Sequence, residues 1–266
     1  MAFTNTALRT LVRAYPFSKG KYRLFKLASR FIRPSVEVTN LFGQKLRVDL
    51  SRGGLHHFFY FIPERYEIGT RHYLQGCVGP GMVVVDIGAH IGFHTLVMAQ
   101  HAKEVHAIEL FPPNYKLLLD NIIDNGLTDR VTAYNLAMGK EKSKVDIFIS
   151  GDDGSCSIKS GDRKAGKVTT MTLDYFRDHV IGKPIDLIKI DAEEAEEDII
   201  IGGLRTIELD KPIIICETHS TDSEENNNVR PILYRRGYRS YYLDGTGKEL
   251  GQKDKLYGLQ NILYIK

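Results

Sequence analysis

From Gly81 onward the chain reads as short apolar runs separated by stretches of helical character, and that alternation commits it to a parallel sheet with crossover helices, an α/β architecture. The runs fall at Met82 to Asp86, Glu104 to Glu109, Val131 to Ala137, Ile185 to Asp191 and Pro212 to Glu217, with residues 92–101, 112–125, 172–181 and 194–207 as crossovers. Met-Val-Val-Val and Pro-Ile-Ile-Ile-Cys are apolar at consecutive positions, which suits strands buried on both faces. Tyr238 to Leu243 and Asn261 to Ile265 predict a closing antiparallel pair. Lys144 to Ile149 and Val168 to Leu173 bracket a polar loop (Asp152, Asp153, Gly154, Ser155, Ser157) that reads as an insertion at the sheet edge or over the site. Ahead of the core, Val36 to Val38 and Lys45 to Leu50 around Gly43 read as a hairpin.

The chain divides by charge into a basic extension, residues 1–60, and a main domain, residues 61–266. Residues 1–36 hold eight basic side chains and no acid, so in a protein of net charge +3 the remaining 230 residues are net acidic at −5. Within that segment Leu24, Leu27 and Phe31, flanked by Phe25, Ala28 and Ile32, repeat at helical spacing, with Arg23, Lys26, Arg30 and Arg33 largely between them. Such a basic amphipathic helix either packs its apolar stripe on the domain or, through residues 8–33, touches an anionic membrane surface. Nucleic acid is not an expected partner, since the aromatic and Gly-rich signatures of the common binding modules are missing. Three cysteines at unrelated spacings build neither a disulfide framework nor a structural zinc site. With no long apolar run and no signal-type segment, the expected location is cytoplasmic, peripheral at most to a membrane.

The first chemically loaded motif is Asp86-Ile87-Gly88-Ala89-His90-Ile91-Gly92, where the first core strand hands over to a helix. Glycines at such a turn let backbone approach a ligand, and the helix start offers unpaired N–H groups. A dinucleotide would bring its pyrophosphate here, to a three-glycine G-x-G-x-x-G turn. This chain has two glycines at G-x-x-x-G and an acid, Asp86, at the expected strand end. A carboxylate there repels pyrophosphate and favours a ligand carrying a sulfonium or an amino group, which describes S-adenosylmethionine. Glu109, ending the next strand, suits the hydroxyl pair of an adenosine ribose. Further on, Lys189 and Asp191 alternate with Ile188 and Ile190 and share one face near a strand's ligand-binding end. Glu196, Glu197 and Asp198 open a helix, where acids complement its dipole. Asp191 and Glu193 are better placed to face the crevice.

These residues resemble the FkbM-type S-adenosylmethionine-dependent methyltransferases, from about Tyr66 to the C-terminus. Val84 to Thr95 follows the family's V-V-D-I-G-A-N-I-G-x-x-T segment with His90 in place of asparagine, and Tyr66-Glu67 matches a preceding Tyr-Glu pair. Glu109 to Asn114 is similar to the family's acid and proline segment, and Thr172-Leu173-Asp174 to its threonine-leucine-aspartate segment. Lys189 to Glu196 corresponds to the K-I-D-V-E-G-A-E hallmark, except that Glu194 stands where the family keeps glycine. Either Glu194 points outward, or it reshapes the acceptor pocket.

The resemblance implies a class I methyltransferase, Rossmann-like, with a seven-stranded sheet whose last strand is antiparallel. The implied activity is methyl transfer to a hydroxyl of a sugar, glycan or secondary metabolite. The implied cofactor-binding set is Asp86, Gly88, Ala89, His90, Gly92, Glu109, Leu110, Ala137 and Asp191. Asp191, Glu193, Glu217, His219 and His94 are the candidates for taking the acceptor's proton. Asp191, Glu217 and His219, at the ends of adjacent strands, would also suit a divalent metal. Two other readings stay open: a weakly active or non-catalytic binding module at a membrane surface, and a nicotinamide-dependent oxidoreductase, which the acid at position 86 disfavours. Residues 52–72, 150–167 and 218–232 are expected to set acceptor specificity.

Overall fold

The computed structural model describes residues 2–14, 21–39, 43–150, 155–220, 228–251, 254 and 258–266. Helices α1 (Ala2–Ala14) and α2 (Lys21–Ser29) lead into an antiparallel hairpin, β1 (Ser35–Thr39) with β2 (Lys45–Asp49), and then into α3 (Gly54–Phe61) and α4 (Ile68–Cys77). The core follows as β3 (Val83–Ile87), α5 (Phe93–Ala99), β4 (Glu104–Ile108), α6 (Pro112–Asp124) and β5 (Val131–Tyr134). Four strands, β6 (Ala137–Met138), β7 (Lys144–Ser150), β8 (Ser155–Ser157) and β9 (Arg163–Met171), precede α7 (Leu173–Phe176), β10 (Leu187–Ile190), α8 (Glu196–Ile201), α9 (Leu204–Asp210) and β11 (Ile213–Ser220). The chain then runs through α10 (Val229–Tyr234), β12 (Arg239–Tyr242), β13 (Glu249–Leu250) and β14 (Gly258–Ile265).

The main sheet has the order β13-β12-β14-β11-β10-β3-β4-β5. The five strands from β11 to β5 are mutually parallel, and β14 enters antiparallel between β11 and β12. The expected count of seven is exceeded by one, because two residues, Glu249 and Leu250, add an edge to β12. Every residue of β3 and β10 is buried, with separate apolar clusters on the sheet's two faces: Val85, Ile188 and Ile214 belong to one, Val84, Leu187 and Ile215 to the other. Period-2 alternation beneath two helical layers requires that division.

Three expected elements are drawn differently. The third strand stops at Tyr134, because Asn135 donates from Nδ2 to the carbonyls of Glu109 (2.7 Å) and Leu110 (2.8 Å) and turns the chain out of the sheet. Ala137 therefore begins β6, which pairs with β9 in a separate four-stranded sheet of order β6-β9-β7-β8. That sheet is the insertion expected around residues 144–173; its loop residues 151–154, with Asp152, Asp153 and Gly154, lie outside the described residues. The crossover expected at 194–207 is two helices, broken at Gly202-Gly203, where a Cβ on Gly202 would run into the backbone of Gly139.

The N-terminal elements share a third apolar cluster with α5: Phe25, Ala28, Leu46 and Phe59 pack with Ile91, Phe93 and Leu96. Polar bonds reinforce the seam, among them Gln44 Nε2 to the Leu96 carbonyl at 2.6 Å and Arg47 N to Asn121 Oδ1 at 2.5 Å. The docked face of α2 is Phe25, Ala28 and Ile32, with Phe25 stacked on Phe61 at 4.8 Å. Of the expected stripe, Leu24 packs against the same cluster, while Leu27 is 53% and Phe31 76% exposed.

Candidate active site

The C-terminal ends of β3, β4, β10 and β11 open onto a cavity of about 600 Å³, completed by the small sheet on one side and by β12 and β14 on the other. That volume suits a small-molecule site, and its position is where open α/β sheets bind ligands. Gly88 turns the chain out of β3 with φ +82°, and a Cβ there would collide with the Asp191 carbonyl. His90 is left-handed at φ +52°; histidine and asparagine are both among the residues that tolerate this region, which explains the exchange against the family pattern. Its N–H donates to Glu109 Oε2 at 2.8 Å while Phe111 N–H donates to Oε1 at 2.7 Å. Clamped by two amides, Glu109 keeps further acceptor capacity for a ligand. Burial pushes its carboxyl up to about 7, against the lowering effect of those two bonds.

At the other end of the cavity Glu67, Asp191 and Glu217 bring carboxylate oxygens within 4.8 Å of one another. Glu67 entered the sequence reading only as half of a motif, and it is central here. It is held at φ +36° just before α4, and its Oε2 accepts from His94 Nε2 (2.9 Å) and Asn261 Nδ2 (2.7 Å). Burial disfavours its ionised form, but the His94 ring, Lys189 and the Tyr66 hydroxyl outweigh that and hold it down to about 2. Lys189, 1% exposed, donates to Asp191 Oδ2 at 2.9 Å. Burial alone would lower its pKa; the carboxylates of Asp191, Glu67 and Asp86 raise it instead, so the ammonium is permanent.

The expected metal set assembles only in part. Asp191 and Glu217 meet, with Glu67 as the third acid, while the side chain of His219 lies outside the described residues. Glu67 already answers to His94 and Asn261, and Asp191 to Lys189, so a divalent cation would compete with an ammonium built into the site. With a fixed ammonium already bound among these acids, the donor set fits a metal centre poorly.

Of the other expected residues, Gly88, His90, Glu109, Leu110, Ala137, Asp191, Glu193 and Glu217 border the cavity. Asp86, Ala89 and His94 do not; they surround a void of about 20 Å³ behind it, which has room for one water. Gly92 borders neither. Asp86 is one residue short of the strand end, which falls at Ile87, and at 1% exposure it accepts from Thr95 Oγ1 at 2.5 Å. It reaches the cavity through its field on Lys189 and on Glu109. His94 is likewise a partner of Glu67 rather than a cavity residue.

Glu194 points outward, accepting from Ser160 Oγ at 2.7 Å, and does not line the cavity. Its φ of +76° explains the family's glycine: L side chains are strained there. Glu194→Gly is therefore expected to stabilise the protein by about 1 kcal/mol, a rise in Tm of about 2–4 °C in a scan of the two proteins side by side. An unchanged or lower Tm would mean that the Ser160 contact outweighs the strain.

The model of the FkbM methyltransferase domain matches residues 86–240, more than half of the chain. No curated protein matches the sequence significantly. Among solved structures, methyltransferase FkbM from Methylobacillus flagellatus is similar at 15% identity with a TM-score of 0.52, covering 99% of this chain. The chain spans 59% of that protein's length. Precorrin-6y C5,15-methyltransferase from Geobacter metallireducens (12% identity, TM-score 0.44, covering 74% of this chain and 88% of that one) is also similar. So is TYW2 from Pyrococcus horikoshii in complex with MeSAdo (16% identity, TM-score 0.44, covering 91% and 81%). At the first of these scores the likeness is one of fold, that of the class I methyltransferases. Sequence motif, sheet order and domain match agree, and the chain belongs to the FkbM methyltransferase family.

Proposed function

We propose that the protein transfers a methyl group from S-adenosylmethionine to a hydroxyl of a sugar, glycan or secondary metabolite, without a metal. One observation carries this reading: among the described residues lining the cavity, six are carboxylates (Glu67, Glu109, Asp191, Glu193, Glu217, Asp244) and one, Arg65, is a permanent cation. Such a wall repels pyrophosphate and attracts a sulfonium and an ammonium. Asp86 was expected to supply that attraction; the lining acids supply it instead.

Bound there, S-adenosylmethionine supplies an electrophilic methyl group. Glu109 is placed to accept from the ribose hydroxyls, and the turn at Gly88 lets backbone approach the nucleoside. Tyr242 offers an aromatic face, and Gln260 and Asn261 offer amides, to a polyhydroxylated acceptor. Glu67 and Asp191 are engaged by His94, Asn261 and Lys189 and orient the acceptor end. Glu217, whose carboxylate lies within 4.8 Å of both, would take the hydroxyl proton as the acceptor oxygen bonds to the methyl group and the donor leaves as its thioether.

Calorimetry with S-adenosylmethionine tests the donor half of this reading. Because the Glu109 proton is held up to about 7 against an ordinary value of 4.5, the fold favours the neutral acid: its contribution to stability is full below about pH 4.5 and lost as pH rises through about 7. Hydroxyl donors favour the ionised form, so donor affinity is expected to rise about tenfold from pH 6 to pH 8. In Glu109→Gln it should be weak and flat. Absence of binding at every pH overturns the proposal; binding indifferent to pH overturns the role of Glu109.

A further inference from the structure

We infer that the outward face of α2 and its terminal turn form a peripheral docking surface for an anionic bilayer. Helix α2 carries two apolar rows at identical spacing. Phe25, Ala28 and Ile32 are consumed by packing on the domain, with Phe25 stacked on Phe61. The second row packs on the domain only at Leu24; beyond it Leu27 is 53% exposed, and Phe31, one turn on, is 76% exposed. Phe31 is not on a loose end. The helix continues into a 3₁₀-like turn in which Arg30, Phe31 and Ile32 N–H donate to the carbonyls of Leu27 (3.3 Å), Ala28 (3.1 Å) and Ser29 (3.1 Å).

An exposed leucine alone needs no explanation, but a phenylalanine and a leucine one turn apart, ringed by cations, describe a surface that gains from leaving water. Arg23, Lys26, Arg30 and Arg33 are all exposed around the pair. Residues 1–36 contain no acid, although the remainder of the chain is net acidic. The basic residues of α1 face the domain: Arg13 Nη2 donates to Glu64 at 2.7 Å, and the Arg9 guanidinium sits 5.4 Å from the centre of the Tyr60 ring. Thus α1 holds the extension to the domain while α2 turns its charge outward. Cations around two insertable apolar side chains match a negatively charged headgroup layer above hydrocarbon, where burial and surface potential add. The contact is peripheral, since no described helix is long and apolar enough to cross a membrane.

The chain contains no tryptophan, which supplies a clean reporter. Phe31→Trp and, as a control on another surface, Leu209→Trp (Leu209 is 61% exposed) each introduce a single emitter. With vesicles of phosphatidylcholine containing about 30% phosphatidylserine at low salt, emission from Phe31→Trp is expected to shift to the blue, while that of Leu209→Trp stays unmoved. The shift should vanish with phosphatidylcholine alone and weaken with added salt. Adding Arg23→Gln, Lys26→Gln and Arg30→Gln should weaken partitioning about a hundredfold; should that protein not fold, the salt titration of Phe31→Trp alone gives the same decision. The inference is overturned by an unmoved Phe31→Trp spectrum at low salt, or by equal shifts at both positions. It is also overturned by equal response to neutral vesicles, or by a blue shift without lipid that follows protein concentration, which would mark self-association.

Discussion

Replacing Lys189 by methionine is expected to destabilise the protein by about 3–5 kcal/mol, the usual cost of removing one partner from a buried ionic group. The side chain is 1% exposed and faces the carboxylates of Asp191, Glu67 and Asp86 from a central strand. Without the ammonium these acids are left close together in low dielectric, with His94, Asn261, Tyr66 and Thr95 among the remaining donors. Denaturant titration measures the loss, and its pH dependence identifies the cause. Protonation relieves uncompensated carboxylates, so the gap between variant and parent should narrow as pH falls. Lys189→Met combined with Asp191→Asn should recover part of the stability. A loss below about 1 kcal/mol would mean that the cluster does not depend on this cation.

The second large effect is expected at Glu217. Glu217→Gln keeps shape and hydrogen-bonding capacity but cannot hold the acceptor's proton, so kcat should fall by about 10²- to 10⁴-fold with donor affinity unchanged. Transfer of labelled methyl to a panel of sugars, glycans and natural-product alcohols gives the readout. Full activity in this variant would move the proton-accepting role to Glu193, another cavity-lining acid of the expected catalytic set.

Much of the scaffold was legible because consecutive apolar residues leave a strand no solvent face, and β3, β10 and β11 declare themselves in that way. In the small sheet the start of β9 was hidden for the opposite reason. Residues 163–167 of β9 are all exposed, so no period-2 pattern survives to mark them. In α2 the spacing of Leu24, Leu27 and Phe31 equals that of Phe25, Ala28 and Ile32. Periodicity cannot choose between two rows with the same period; the ring of Phe61 does, and it lies outside the helix. The site divides along the same line. Gly88, Glu109 and Asp191 follow from where strands end, whereas Glu67 depends on a left-handed backbone before α4 and on partners 27 and 194 positions away. Asp86 lies in the strand one residue before its end, beside Lys189 in the ladder, where it is buried against Thr95 and does not reach the cavity wall.

The antiparallel entry of β14 has a consequence for how the protein comes to life. Glu217 lies opposite Asn261 in the ladder, and Asn261 holds Glu67. Of the described strands, β14 is the last to leave the ribosome, yet it slots into the middle of the row rather than onto its border. A nascent polypeptide can already own its glycine turn and nucleoside acid while the opposite wall is missing. On the proposed reading, a chain that lacks β14 keeps Gly88 and Glu109 but loses the Asn261 contact that holds Glu67, so it would recognise the donor without transferring methyl.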